Sequence, residues 1–173
     1  VGSVGEAVNT VIARWGTIDI LVNNAGVAAA PGEWTDGERE EDWDLTFAVN
    51  VKGVAHCCDS VIPYMKQRRY GKIISIASMA GHGSRRKGGA YSVSKAAVMR
   101  YTKGLSDDLA SYNININAIC PGAVWTKFQE TGARIRQDTD SSLRNHDLER
   151  IFLDRYQDLI PLGRPQTPED IGK

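Results

Sequence analysis

Tyr91 and Lys95 stand four positions apart in a stretch of helical periodicity. Both side chains therefore lie on one face and can converge on one ligand. The pairing bears on proton transfer. A free tyrosine titrates near pH 10, and each unit of lowering corresponds to about 1.4 kcal/mol of preferential stabilisation of the phenolate. A neighbouring ammonium supplies such stabilisation. Ser78, thirteen positions before Tyr91, closes an apolar run of strand character. From there it can donate a hydrogen bond to the same substrate oxygen. Asn50, in the preceding helical stretch, is placed to hold a water that feeds Lys95.

These side chains need a scaffold, and the periodicity supplies one. Residues 6–14 put Ala7, Val8, Val11 and Ile12 on one helical face, with Gly16 as the stop. Residues 18–22 form a short β-branched run that reads as a buried strand, closed by Asn23-Asn24-Ala25-Gly26. After a polar stretch at 31–41, residues 43–65 carry Leu45, Val49, Val51, Val54, Val61 and Ile62 and predict one long helix. A second buried strand follows at 72–78, a glycine-rich loop at 79–89, a long helix at 90–112 and a third strand at 113–120. A polar, helical insertion begins at Trp125. Thr167 with Pro168-Glu169-Asp170 then predicts an N-capped helix start. Strands alternating with helices point to right-handed βαβ units, hence an α/β class with a parallel sheet. Ligands of such sheets sit beyond the carboxyl ends of the strands. Here those ends are 23–26, 78–81 and 121–126.

Composition narrows the function classes. At 173 residues, 42% hydrophobic and 24% charged, the chain reads as a single domain spanning 1–173. Lys+Arg and Asp+Glu number 21 each, so no global field favours nucleic acid or an anionic membrane, and a small neutral partner is expected. The apolar runs fall far short of the roughly 20 residues of a spanning helix. Cys57 and Cys58 are adjacent and Cys120 is distant. That pattern forms neither a disulfide framework nor a CxxC pair and fits a cytoplasmic setting. His56, His82 and His146 have no partners at metal-ligand spacing, so no metal is expected.

The ordered motifs resemble those of the short-chain dehydrogenase/reductase family over nearly the whole chain. Asn23-Asn24-Ala25-Gly26 is similar to the family's NNAG turn, Asn50 to its helix asparagine, Ser78 to its strand-end serine, and Tyr91 to Lys95 to its YxxxK motif. Pro121-Gly122-Ala123-Val124-Trp125-Thr126 resembles the PGxVxT segment, and Pro161-Leu162-Gly163-Arg164 with Pro168-Glu169-Asp170 the stretch after the substrate loop. The resemblance implies a Rossmann-like, doubly wound parallel sheet of three βα units, with residues 125–160 as the substrate loop or lid. It further implies NAD or NADP, and hydride transfer between the nicotinamide and a secondary alcohol or ketone. In that scheme Tyr91 is the general acid/base, Lys95 lowers its pKa and holds the nicotinamide ribose, Ser78 orients the substrate, and Asn50 completes a proton relay. Asn23, Ala25, Gly26, Tyr91, Lys95, Pro121, Gly122, Val124 and Thr126 form the implied cofactor set, and Ser78 and Tyr91 contact substrate. A homo-oligomer, dimer or tetramer, would pair the helices at 43–65 and 90–112.

The family's first strand, its TGxxxGxG turn and its final strand have no counterpart here. Thr131-Gly132-Ala133 follows no strand, and Gly81-His82-Gly83 with Arg85, Arg86 and Lys87 lacks GxGxxG. The sequence is therefore expected to be an internal fragment with an incomplete sheet, exposed strand edges and no pyrophosphate site. An alternative of a different class is a catalytically idle remnant serving as an interaction module.

Overall fold

The computed structural model describes residues 2–28, 38–83 and 89–173. The cationic run Arg85, Arg86 and Lys87 and most of the polar stretch at 31–41 lie outside the described residues. Helix α1 (Gly2–Trp15) closes at Gly16 and leads to strand β1 (Ile20–Asn23). Where the periodicity predicts one helix over 43–65, three pieces stand end to end: α2 (Glu40–Phe47), a π-helical turn (Ala48–Gly53) and α3 (Val54–Arg68). Strand β2 (Gly71–Ile76), a 3-10 turn (Met79–Gly81), helix α4 (Ala90–Leu109) and strand β3 (Ile114–Ile119) follow. The insertion holds α5 (Lys127–Thr139) and α6 (Leu148–Tyr156), and α7 (Pro168–Gly172) ends the order. Among the described residues no helix is long and apolar enough to cross a membrane.

The three strands pair in parallel in the order β1-β2-β3. Successive right-handed crossovers in one direction place their connecting helices on the same side of the sheet. Register shows which side that is. Ile73 and Ser75 of β2 and Ile114 and Ile116 of β3 are buried, packed with Val54, Cys58, Val61 and Met65 of α3 and Val98 and Leu109 of α4. On the other face Ile20, Lys72 and Asn115 align, all exposed. Residues 18–22 are thus not the buried strand that their composition predicts. Ile20 is 58% and Val22 53% exposed because the described helices cover only one face. The parallel α/β class holds, with that one-sided cover among the described residues.

Two local features position the site. A Cβ on Gly81 would lie 2.8 Å from the Ala96 nitrogen and 2.9 Å from the Lys95 carbonyl carbon. Only glycine lets the turn after β2 press so closely on α4. At the base of the insertion, Val124 forms a parallel bridge with Gln166, and Thr167 caps α7 in a reciprocal capping box with Asp170, as Thr167-Pro168 predicts. Within the insertion, the rings of Trp125, Phe152 and Tyr156 form a continuous chain, each pair of centroids 5.1 Å apart.

Candidate functional site

The three strand ends meet where parallel sheets bind ligands. Met79 N–H donates to the Pro121 carbonyl at 2.9 Å, tying the end of β2 to the segment after β3. Ser78 sits in extended backbone just before that contact, and its Oγ accepts from Ala80 N–H at 3.1 Å. Across from it, Tyr91 occupies the first turn of α4. The Ser94 hydroxyl donates to the Tyr91 carbonyl at 2.7 Å and fixes that turn. Gly89, the N-cap, has no side chain to offer, and the Glu38 carboxylate accepts the Ala90 N–H instead at 2.5 Å.

Burial pushes the Tyr91 phenol above its ordinary pKa, and a side-chain hydrogen bond with Ser78 opposes that rise. Lys95 is buried, and burial lowers its own pKa. Its ammonium lies 5.6 Å from the Tyr91 ring centroid and donates to the Ile76 carbonyl at 2.7 Å. The causes of the Tyr91 shift are burial, Ser78 and Tyr156. Desolvation wins, and Ser78 is the group that favours the phenolate.

Asn50 is 1% exposed and held on all sides. Its Oδ1 accepts from Val27 N–H at 2.8 Å, and its Nδ2 donates to the Val27 carbonyl at 2.8 Å and to Ser94 Oγ at 2.9 Å. Both amide hydrogens are thus engaged, which leaves only one Oδ1 lone pair for the water expected there. The side chain instead braces the turn after β1 against α4. That turn reaches Lys95 through Gly26, where a Cβ would stand 3.1 Å from Nζ and 3.6 Å from Asn50 Oδ1. Asn23 ends β1. Its side chain points to the core face of the sheet, where Nδ2 donates to Ser75 Oγ at 3.2 Å and contacts Cys58 Sγ at 3.5 Å. Of the turn, Ala25 and Gly26 are exposed, and Gly26 lies beside Lys95.

Pro121, Gly122, Val124 and Thr126 line the end of β3, with Thr126 as N-cap of α5. Gln166 emerges as a site neighbour that no motif marks. Its Oε1 accepts from Gly122 N–H at 2.6 Å, and its N–H donates to the Ala123 carbonyl at 2.8 Å. Glu38 is likewise unmarked, although a glycine N-cap signals that a cap must come from elsewhere. Cys58 is core, its thiol pushed up to about 11 by burial.

A family model described as short chain dehydrogenase matches residues 2–136. Among curated relatives, the 3-oxoacyl-[acyl-carrier-protein] reductase FabG of Thermotoga maritima is 34% identical over 168 residues, covering 97% of this chain and 61% of the relative. A cyclohexanol dehydrogenase of Rhodococcus is 34% identical over 172 residues, covering 97% and 58%. Among solved structures, NAD+-bound xylitol dehydrogenase superposes with a TM-score of 0.81 at 31% identity, covering 95% of this chain and 63% of that one. A gluconate 5-dehydrogenase from Burkholderia cenocepacia, in complex with NADP and tartrate, gives 0.74 at 33%, covering 95% and 58%. The chain spans about three fifths of the length of the curated relatives it matches.

Proposed function

The chain belongs to the short-chain dehydrogenase/reductase family, and we propose on that premise that the protein is an NAD- or NADP-dependent oxidoreductase acting on a secondary alcohol or ketone. The carrying observation is that Ser78, from the end of β2, lies near enough to the Tyr91 phenol of α4 to favour its ionised form, while Lys95 is buried in the same helix. Residues fit a nicotinamide cofactor in one respect that geometry tests: Gly26 leaves open the space that a Cβ would fill against Lys95 Nζ. Lys95, Ala25 and Gly26 on one side and Gly122, Val124 and Thr126 on the other would hold it. When bound, the cofactor supplies or accepts the hydride.

The chain's own residues then handle the proton and the substrate oxygen. In the reducing direction Tyr91 Oη delivers its proton to the carbonyl oxygen; in the oxidising direction it takes the alcohol proton. Ser78 Oγ hydrogen-bonds both that oxygen and the phenol, so it orients the substrate and favours the phenolate. Lys95 offers its remaining ammonium protons toward Gly26. Asn50 keeps the Val27 turn and Ser94 in register and so acts as a positioning residue. The free Cys57, Cys58 and Cys120 suit a cytoplasmic enzyme, and a dimer or tetramer would pair the helical stretches at 43–65 and 90–112.

Tyr91→Phe in the full protein tests this function. It should reduce turnover by about 10²–10⁴-fold, the range of a general acid/base. Affinity for NADH or NADPH, read by nicotinamide fluorescence, should stay near the parent value because only the hydroxyl is removed. Near-normal turnover in the variant overturns the assignment, and a parent protein silent toward every alcohol and ketone favours the idle-remnant alternative.

A further inference from the structure

The insertion carries more polar chemistry toward Tyr91 than hydride transfer needs. Tyr91 packs on Phe128 with ring centroids 5.5 Å apart. Gln129, the next residue of the same α5 turn, accepts a hydrogen bond from the Tyr156 hydroxyl through Oε1 at 3.4 Å. The two phenols thus bracket one turn of α5, and ionisation of Tyr156 opposes that of Tyr91. Tyr156 is held in place by Phe152 at 5.1 Å and by the Arg155 guanidinium 5.5 Å over its ring. Its bond to Gln129 is long and uses the hydroxyl as donor, which leaves its oxygen free to accept from a ligand. Around the candidate pair Ser78 and Tyr91, large apolar side chains stay open: Met79 is 52% and Phe128 43% exposed. Flat apolar faces beside one accepting oxygen suit a ring that bears its own hydroxyl.

We propose that the substrate is a ring-bearing secondary alcohol or ketone carrying a second, adjacent hydroxyl, and that Tyr156 is the residue that selects it. This rests on the hydride-transfer reading above. The test uses the full protein with NAD+ or NADP+ and three probes: cis-1,2-cyclohexanediol, cyclohexanol and 2,3-butanediol. The ring diol should give the highest kcat/KM. Tyr156→Phe, which keeps the ring contacts with Phe152, should lower kcat/KM for the ring diol roughly three- to tenfold, the effect of one hydrogen bond. The same variant should lower kcat/KM for cyclohexanol less than for the ring diol, a split that a merely structural role would not produce. Equal losses on both substrates, no loss on either, or butanediol matching the ring diol would each overturn the inference. If the parent oxidises none of the three, the hydride-transfer reading is decided by the wider range of alcohols and ketones named above. Saturation-transfer NMR of 1,2-cyclohexanediol then decides the inference alone: weaker binding in Tyr156→Phe supports it, and equal binding overturns it.

Discussion

Replacing Asn50 with Ala removes a side chain that makes three hydrogen bonds inside the protein, to Val27 N–H, the Val27 carbonyl and Ser94 Oγ. Ser94 is fully buried, so its oxygen gains no water in exchange, whereas half-buried Val27 recovers part of its solvation. At roughly 1 kcal/mol per net hydrogen bond, with a larger cost where a buried partner stays unsatisfied, the loss is about 3 kcal/mol. For a chain of this size that corresponds to a fall in Tm of about 6–12 °C. Urea unfolding followed by tryptophan fluorescence measures it, with Lys52→Ala, an exposed position in the same π-helical turn, as the control. Asn50→Asp sharpens the reasoning. One carboxylate oxygen can still accept from Val27 N–H, but the other faces the Val27 carbonyl and donates nothing. Burial against that carbonyl raises the folded pKa of the new carboxyl above its unfolded value. Its contribution is then present below the unfolded pKa and lost as pH rises through the folded one. Asn50→Asp should therefore gain on Asn50→Ala as the solution is acidified. A loss in Asn50→Ala no larger than that of Lys52→Ala would refute the bracing role.

Ser78→Ala removes the hydrogen bond that opposes the burial-driven rise of the Tyr91 pKa. The ascending, acid-side limb of the pH–rate profile for alcohol oxidation should then move to higher pH, and a limb that stays in place counts against the pair. Lys95→Met should cost little stability at neutral pH, because a buried ammonium whose pKa is lowered is held against its solvation. Between that lowered value and the ordinary 10.5 the unfolded chain binds more protons, so parent stability rises with pH in this window. The parent should therefore gain on Lys95→Met as pH approaches 10.5, and parallel stability curves would show that Lys95 is solvated after all.

The order of elements was legible because each strand and helix carries its own period, and punctuation was legible because Gly16 and Thr167-Pro168 act locally. Burial was not. Ile20, Val22 and Ile74 have the composition of a strand covered on both sides, but exposure depends on what packs against the sheet, which no local pattern encodes. The π-helical turn was equally hidden. Residues 43–65 keep an unbroken helical spacing of apolar side chains, and the widening occurs where Asn50 is drawn to Val27, a partner 23 residues away.

The same distinction divides the candidate site. Tyr91, Lys95 and Ser78 were legible because their roles depend on chemical type and on spacing within one βα unit. Their electrostatics depend on distance from water and on which neighbour is nearest: desolvation of Tyr91 outweighs the opposing effect of Ser78. Asn23 shows the limit most sharply. In a strand, facing is fixed by parity, and register aligns Asn23 with Ser75 on the core face. Its amide therefore serves the packing of β1, β2 and Cys58, while the backbone at Gly26 meets Lys95. Gln166 and Glu38 reach the site from segments far along the chain, and each satisfies a backbone N–H, of Gly122 and Ala90, that glycine-rich surroundings leave without a local side-chain partner. A site assembled at strand ends exposes such groups by construction, so its positioning residues come from wherever the fold returns the chain, and motif spacing alone cannot name them.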